Sequence, residues 1–103
     1  MHSLIENNLA QIRELCEKHK VKNLYIFGSA LRADFRPEES DVDFIVELSY
    51  SSPHEHRLAY FGLLRAMEDI LSTKVDMIEL STISNPYFLE AVMKTKKGIY
   101  NAA

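Results

Sequence analysis

Two aspartates, Asp41 and Asp43, stand two residues apart at the opening of the apolar run Phe44-Ile45-Val46. Side chains alternate across a strand, so residues i and i+2 share a face. Both carboxylates then point the same way, roughly 7 Å apart by the usual rise per residue. Two like charges so placed repel unless a cation sits between them. Oxygen ligands with phosphates completing the shell suit a hard divalent ion, and magnesium is the usual choice. Upstream, Gly28-Ser29 closes a second apolar run, Leu24-Tyr25-Ile26-Phe27. A glycine turn after a strand offers free backbone N–H groups, which is where a phosphate is held. A third acid, Asp76, lies within the strand-forming stretch Val75-Asp76-Met77-Ile78. An acid inside a buried strand is costly unless paired or liganded. Asp76 therefore faces either solvent or the carboxylate pair on a neighbouring strand. Glu79 is an odd number of residues away and is expected to point to the other face.

Taken singly, a Gly-Ser turn or an Asp-x-Asp strand start is usually only structural. In order, as Gly28-Ser29-x(11)-Asp41-x-Asp43 between apolar strands, they form a far more specific pattern. That pattern resembles the nucleotidyltransferase superfamily that includes DNA polymerase beta. The stretch Gly28-Ser29-Ala30-Leu31-Arg32, Arg36-Pro37 and Ser40-Asp41-Val42-Asp43-Phe44-Ile45-Val46 is similar to the minimal nucleotidyltransferases. Those small proteins are encoded beside HEPN-domain partners and act as antitoxins (MntA-like). The likeness spans about residues 20–100. It departs from the family pattern in two places: Ala33 stands where a glycine usually follows the motif arginine, and the loop from Ser29 to Asp41 is one residue longer than the common form.

The resemblance implies a reaction, nucleotidyl transfer from Mg-ATP. The phosphates would lie over Gly28 and Ser29, and Arg32 would contact the triphosphate or brace the loop. Asp41 and Asp43 would hold two magnesium ions, with Asp76 as third ligand or as base for the acceptor hydroxyl. Relatives that modify small molecules or nucleic-acid ends generally carry further domains to hold the acceptor. A chain of this length is expected to receive its acceptor from a second protein. For the minimal family the implied acceptor is a tyrosine of a HEPN toxin, inactivated by transfer of AMP. Two other readings stay open: a non-catalytic partner that blocks the HEPN protein by contact, and a small-molecule nucleotidyltransferase whose acceptor site lies on another subunit.

The elements that must position these residues can be read in outline. Ser3 to about Lys20 is expected as one amphipathic helix. It opens with the capping box Ser3-x-x-Glu6 and carries the apolar stripe Leu4, Ile5, Leu9, Ile12, Leu15 and Cys16. Asn23–Phe27 is the first strand, Ser29 to about Ala33 a short helix, and Asp34–Ser40 a polar loop. Asp41–Leu48 is the second strand. Ser52-Pro53-His54-Glu55 starts a helix with a capping serine, proline at its first position and glutamate at its third. That helix runs to about Ser72, burying Leu58, Phe61, Leu64, Met67, Ile70 and Leu71. Lys74–Leu80 is the third strand. Asn85-Pro86 opens the last helix, packed through Tyr87, Phe88, Ala91 and Val92. Gly98 ends it, before a short edge strand at Ile99-Tyr100. The fold class is α/β: a small mixed sheet of three to five strands with helices mainly on one face.

The 103 residues suit a single domain over 1–103. A net charge of -3 argues against direct nucleic-acid binding, which needs a basic face. No apolar run approaches the roughly 20 residues of a membrane span, and the N-terminus lacks the pattern of a signal peptide. The lone Cys16 fits a reducing, cytoplasmic setting and a core position. The four histidines show no metal-ligand spacing.

Overall fold

The computed structural model describes residues 2–32 and 34–102. Ala33, where the family pattern carries glycine, lies outside the described residues. Helices α1 (Ser3–Asn7), α2 (Leu9–Lys18), α3 (Pro53–Leu71) and α4 (Pro86–Thr95) surround strands β1 (Val21–Phe27), β2 (Val42–Leu48), β3 (Val75–Glu79) and β4 (Lys97–Asn101). The strands form one mixed sheet in the order β3-β2-β1-β4. β1 pairs antiparallel with both β2 and β4, and β2 pairs parallel with β3.

Alternation along the strands sorts their side chains onto two faces. Leu24 and Ile26 of β1, Val42, Phe44 and Val46 of β2, Val75 and Met77 of β3 and Ile99 of β4 join one buried cluster. Ile5 of α1, Ile12 and Cys16 of α2, and Leu63, Met67 and Leu71 of α3 close it. Burial of such side chains, at about 1.5–3 kcal/mol each, is the main drive for this packing. Cys16 is fully buried within the cluster, and burial pushes its thiol up to about 12. It is a core residue, as its place on the apolar stripe predicts. α4 lies over the opposite face: Phe88 meets Phe27 edge-to-face, with ring centroids 5.9 Å apart, and Lys96 sits 3.9 Å above the Tyr25 ring. Three helices thus share one face and the fourth takes the other.

Several local expectations are corrected. The first helix is broken at Asn8, whose side-chain amide donates to the Leu4 carbonyl at 2.8 Å. That carbonyl is the acceptor a continuous helix would offer to the Asn8 backbone N–H, so the side chain competes with the helix ladder. The capping box does not form, because His2 precedes Ser3 and its Nδ1 accepts the Leu4 N–H at 3.0 Å. The apolar stripe of this segment nevertheless faces the core. On α3, Ser52 caps Glu55 as expected, but Leu58 and Phe61 point outward, 61% and 47% exposed, while Ala59 and Leu63 take the buried positions. On α4 the Asn85 cap holds Tyr87 and Phe88 by their N–H groups. Only Val92 of that helix is buried, and Tyr87 is 82% exposed. Gly98 lies within β4 rather than ending α4, which stops at Thr95 with Lys96 as its cap. β4 is an edge strand.

Candidate functional site

β1 ends at Phe27 and the chain turns through a short 3-10 segment, Gly28–Leu31. Gly28 has φ +76°, a left-handed conformation that suits glycine. A Cβ built at this position would come within 2.7 Å of Asp43 Oδ2. The Asp43 carboxylate therefore rests directly against the glycine turn. The cross-strand register explains this, since Phe27 is the partner of Asp43 on β2. Two devices hold the turn in place. The His2 N–H donates to the Ala30 carbonyl at 3.1 Å, and Ala30 is fully buried. Phe35, from the loop before Asp41, is buried in the core and meets the His2 ring edge-on.

Gly28→Ala is expected to destabilise the fold by about 1–3 kcal/mol, from the left-handed backbone alone. It should also displace the Asp43 carboxylate. Urea denaturation reports the first effect and the activity of the folded variant the second.

Asp43 is the second residue of β2 and Asp76 the second of β3. The parallel register sets them directly opposite one another. Both alternate with core residues, so they project from the face that bears Phe27 and α4. Glu79 goes the other way, as its odd spacing predicts, and its carboxylate bonds His56 of α3. Asp41 stands one residue before β2, exposed at the mouth of the strand, which begins at Val42 rather than at Asp41. Asp43 is half-buried. Its pKa is raised from 3.8 to about 6, first by burial, then by the Asp76 charge, then by the Asp41 charge. Three acids thus crowd one end of one sheet face, and no salt bridge engages any of them among the described residues.

The group has the chemistry of a hard-cation site. Its donors are all carboxylate oxygens, its central member is desolvated, and two of its members are in register with like charge. Asp43 against Gly28 leaves the glycine turn's backbone beside the same point. Among the described residues no three His, Cys, Asp or Glu side chains are placed closely enough to hold a metal ion between them. An open set of this kind fits an ion that completes its shell with a substrate's phosphate oxygens. Arg32 caps the 3-10 turn, and its Nε lies 3.3 Å from Asp34 Oδ1, both side chains largely exposed. In this structure its guanidinium is engaged with its own loop.

A cleft of about 560 Å³ opens elsewhere, between Tyr50, His56, Tyr60, Phe61 and Glu79. It lies at the far ends of β2 and β3 and includes none of Gly28, Ser29, Asp41, Asp43 or Asp76. The acidic group lies instead on an open surface, with Asp41, Asp76 and Gly28 all exposed.

Residues 10–103 match the family model described as polymerase beta, nucleotidyltransferase. The chain belongs to this nucleotidyltransferase family. Two relatives come from Methanocaldococcus jannaschii, both provisionally named protein adenylyltransferases. One is 37% identical over 95 residues, covering 82% of this chain and 90% of the relative. The other is 40% identical over 78 residues, covering 76% of each. Among solved structures, one described provisionally as a minimal nucleotidyltransferase superposes with a TM-score of 0.75 at 25% identity, covering 90% of both chains. A Shewanella oneidensis structure of a tri-AMPylated HEPN toxin with its MNT antitoxin superposes with a TM-score of 0.65 at 21% identity, covering 94% of this chain and 72% of that one. The mixed sheet and helix arrangement are thus those of minimal nucleotidyltransferases. No helix among the described residues is long and apolar enough to cross a membrane.

Sequence reasoning missed the residues that hold this site in place. His2 and Phe35 carry no motif, and their contacts with the turn and with each other join segments distant in the chain.

Proposed function

We propose that this nucleotidyltransferase moves AMP from ATP to a hydroxyl, and that the acceptor is a tyrosine of a HEPN-domain partner protein. The observation that carries the reading is the register of Asp43 with Asp76, with the glycine turn packed against Asp43. The names of the archaeal relatives support adenylyl transfer to protein. The AMPylated HEPN toxin in complex with an MNT antitoxin, and a toxin–antitoxin structure with AMP-PNP, support the partner and the nucleotide. The open acidic surface suits an acceptor presented by another macromolecule better than a small molecule that needs a pocket.

In this reading the N–H groups of the Gly28-Ser29 turn and the Ser29 hydroxyl hold the triphosphate, with Arg32 released from Asp34 to assist. Asp41 and Asp43, joined by Asp76, would hold magnesium, two ions in the family's usual arrangement. Bound there, magnesium would neutralise the triphosphate and lower the pKa of the acceptor hydroxyl. The acceptor oxygen attacks the α-phosphorus, a new P–O bond forms, and the bond to the bridging oxygen breaks to release pyrophosphate. Asp76, exposed and opposite Asp43, would either bind the cation or accept the hydroxyl proton. The protein supplies position and charge rather than a covalent intermediate.

Co-expression with a HEPN-domain protein as partner, then intact-mass and peptide mass spectrometry, tests this. The expected result is one or more adenylyl groups on tyrosine, absent when Asp43→Asn replaces the wild type. An unmodified partner held in a stable complex by both forms would defeat it. That outcome would favour inhibition by contact.

A further inference from the structure

The short connection between α3 and β3 touches both segments that bring the acids together. Ser72, which ends α3, has φ 52°, a left-handed conformation uncommon for a residue with a side chain. Three hydrogen bonds pin the chain between Ser72 and Asp76. Thr73 Oγ1 donates to the Pro37 carbonyl at 3.1 Å, in the loop that leads to Asp41. The Val42 N–H donates to the Lys74 carbonyl at 3.1 Å, joining the first residue of β2 to the residue before β3. The Val75 N–H donates to Glu68 Oε2 at 3.2 Å. β3 is an edge strand, and the Glu68 carboxylate, reaching from α3, takes a backbone donor at its start, immediately before Asp76. A carboxylate acceptor makes this bond stronger than a neutral one.

We infer that Glu68 and Thr73 are positioning residues for Asp76, a clasp that sets its distance from Asp43 and Asp41. The inference rests on the proposed reading of the acidic group. Asp76 is two residues into a five-residue edge strand, so a slip at Val75 moves its carboxylate directly. Asp43 is held separately, by the β1 register and the glycine turn. The clasp therefore acts on Asp76 and, through Pro37, on the loop that leads to Asp41, while Asp43 keeps its own support. The phosphate side of the site, at Gly28 and Ser29, is built on β1 and does not depend on it.

Glu68→Ala, Glu68→Gln and Thr73→Val test this on the full chain. In Glu68→Ala the Val75 amide should exchange with solvent faster by NMR. Binding of Mn2+ alone, measured by EPR, should weaken by about tenfold. With the HEPN partner present, kcat should fall about 10- to 100-fold with KM for ATP nearly unchanged, the cost typical of a misplaced group. Glu68→Gln keeps an acceptor for the Val75 N–H and should restore most of both. Thr73→Val should reproduce the Glu68→Ala pattern more weakly. Unchanged Mn2+ binding and kcat in a folded Glu68→Ala chain would overturn the inference, as would a Glu68→Gln variant no better than Glu68→Ala. A wild-type chain that binds Mn2+ but transfers nothing would defeat the proposed function, while the Mn2+ titrations still decide the clasp. A wild-type chain that binds no Mn2+ overturns both.

Discussion

Asp43→Asn is expected to lower nucleotidyl transfer by about a thousandfold while leaving the protein folded. The replacement keeps size and shape and removes only the charge. Asp43 is the central acid, opposite Asp76 on β3, two residues from Asp41, and against the Gly28 turn. In the proposed function Asp43 would be the central ligand of the cation that stabilises the reacting phosphate, and losing one preorganised electrostatic group at a reacting centre costs about 10²–10³ in rate. Asp41 and Asp76 are exposed and each sits at one side of it, so Asp41→Asn and Asp76→Asn should cost less than Asp43→Asn. Steady-state rates with saturating ATP for the three variants check the order. Equal losses in all three would show that the site is not centred on Asp43.

The same substitution is expected to stabilise the metal-free protein at neutral pH. The folded-state pKa of Asp43, about 6, lies above the ordinary 3.8. Between those values the folded chain binds more protons than the unfolded one, so the contribution of Asp43 to stability falls as pH rises through that window. Above about 6 the penalty is complete. One pKa unit corresponds to about 1.4 kcal/mol, and solvent screening reduces this for a group that is only partly buried. The gain from Asp43→Asn at neutral pH is then about 1–2 kcal/mol, a rise in Tm of several degrees for a chain of this size. Near pH 3, where Asp43 is protonated in both folded and unfolded states, wild type and variant should melt together. Added magnesium should raise the Tm of the wild type and not that of Asp43→Asn. Thermal melts with and without chelator at the two pH values measure all three effects. A variant less stable than wild type at neutral pH would contradict the electrostatic account of the site.

The candidate site was legible as a pattern because its spacings are local. Gly28 must be glycine for its backbone and for the space that Asp43 fills, and Asp41-x-Asp43 is a spacing within one strand. Glu79 was assigned to the opposite face by parity alone. The starts of α3 and α4 were legible for the same reason, since Ser52-Pro53 and Asn85-Pro86 act within one helical turn. Choices that depend on contacts between distant segments were not legible. α3 carries two apolar stripes, and the sheet rather than the pattern decides that Ala59 and Leu63 go inward and Leu58 and Phe61 outward. Gly98 reads as a helix stop, but pairing with Tyr25 of β1 draws it into β4. The break at Asn8 turns on one side-chain amide that outcompetes the backbone for the Leu4 carbonyl. Strand order comes only from the assembled sheet, and it decides between the two orientations left open for Asp76 by setting that residue opposite Asp43.

The most direct test of the central claim is a labelling comparison with the proposed HEPN partner and magnesium, using ATP labelled at the α- or the γ-phosphate. The account predicts that label reaches the partner from the α-position alone, and that Asp43→Asn abolishes it. Label transferred from the γ-position, or from neither, would contradict nucleotidyl transfer at this acidic group.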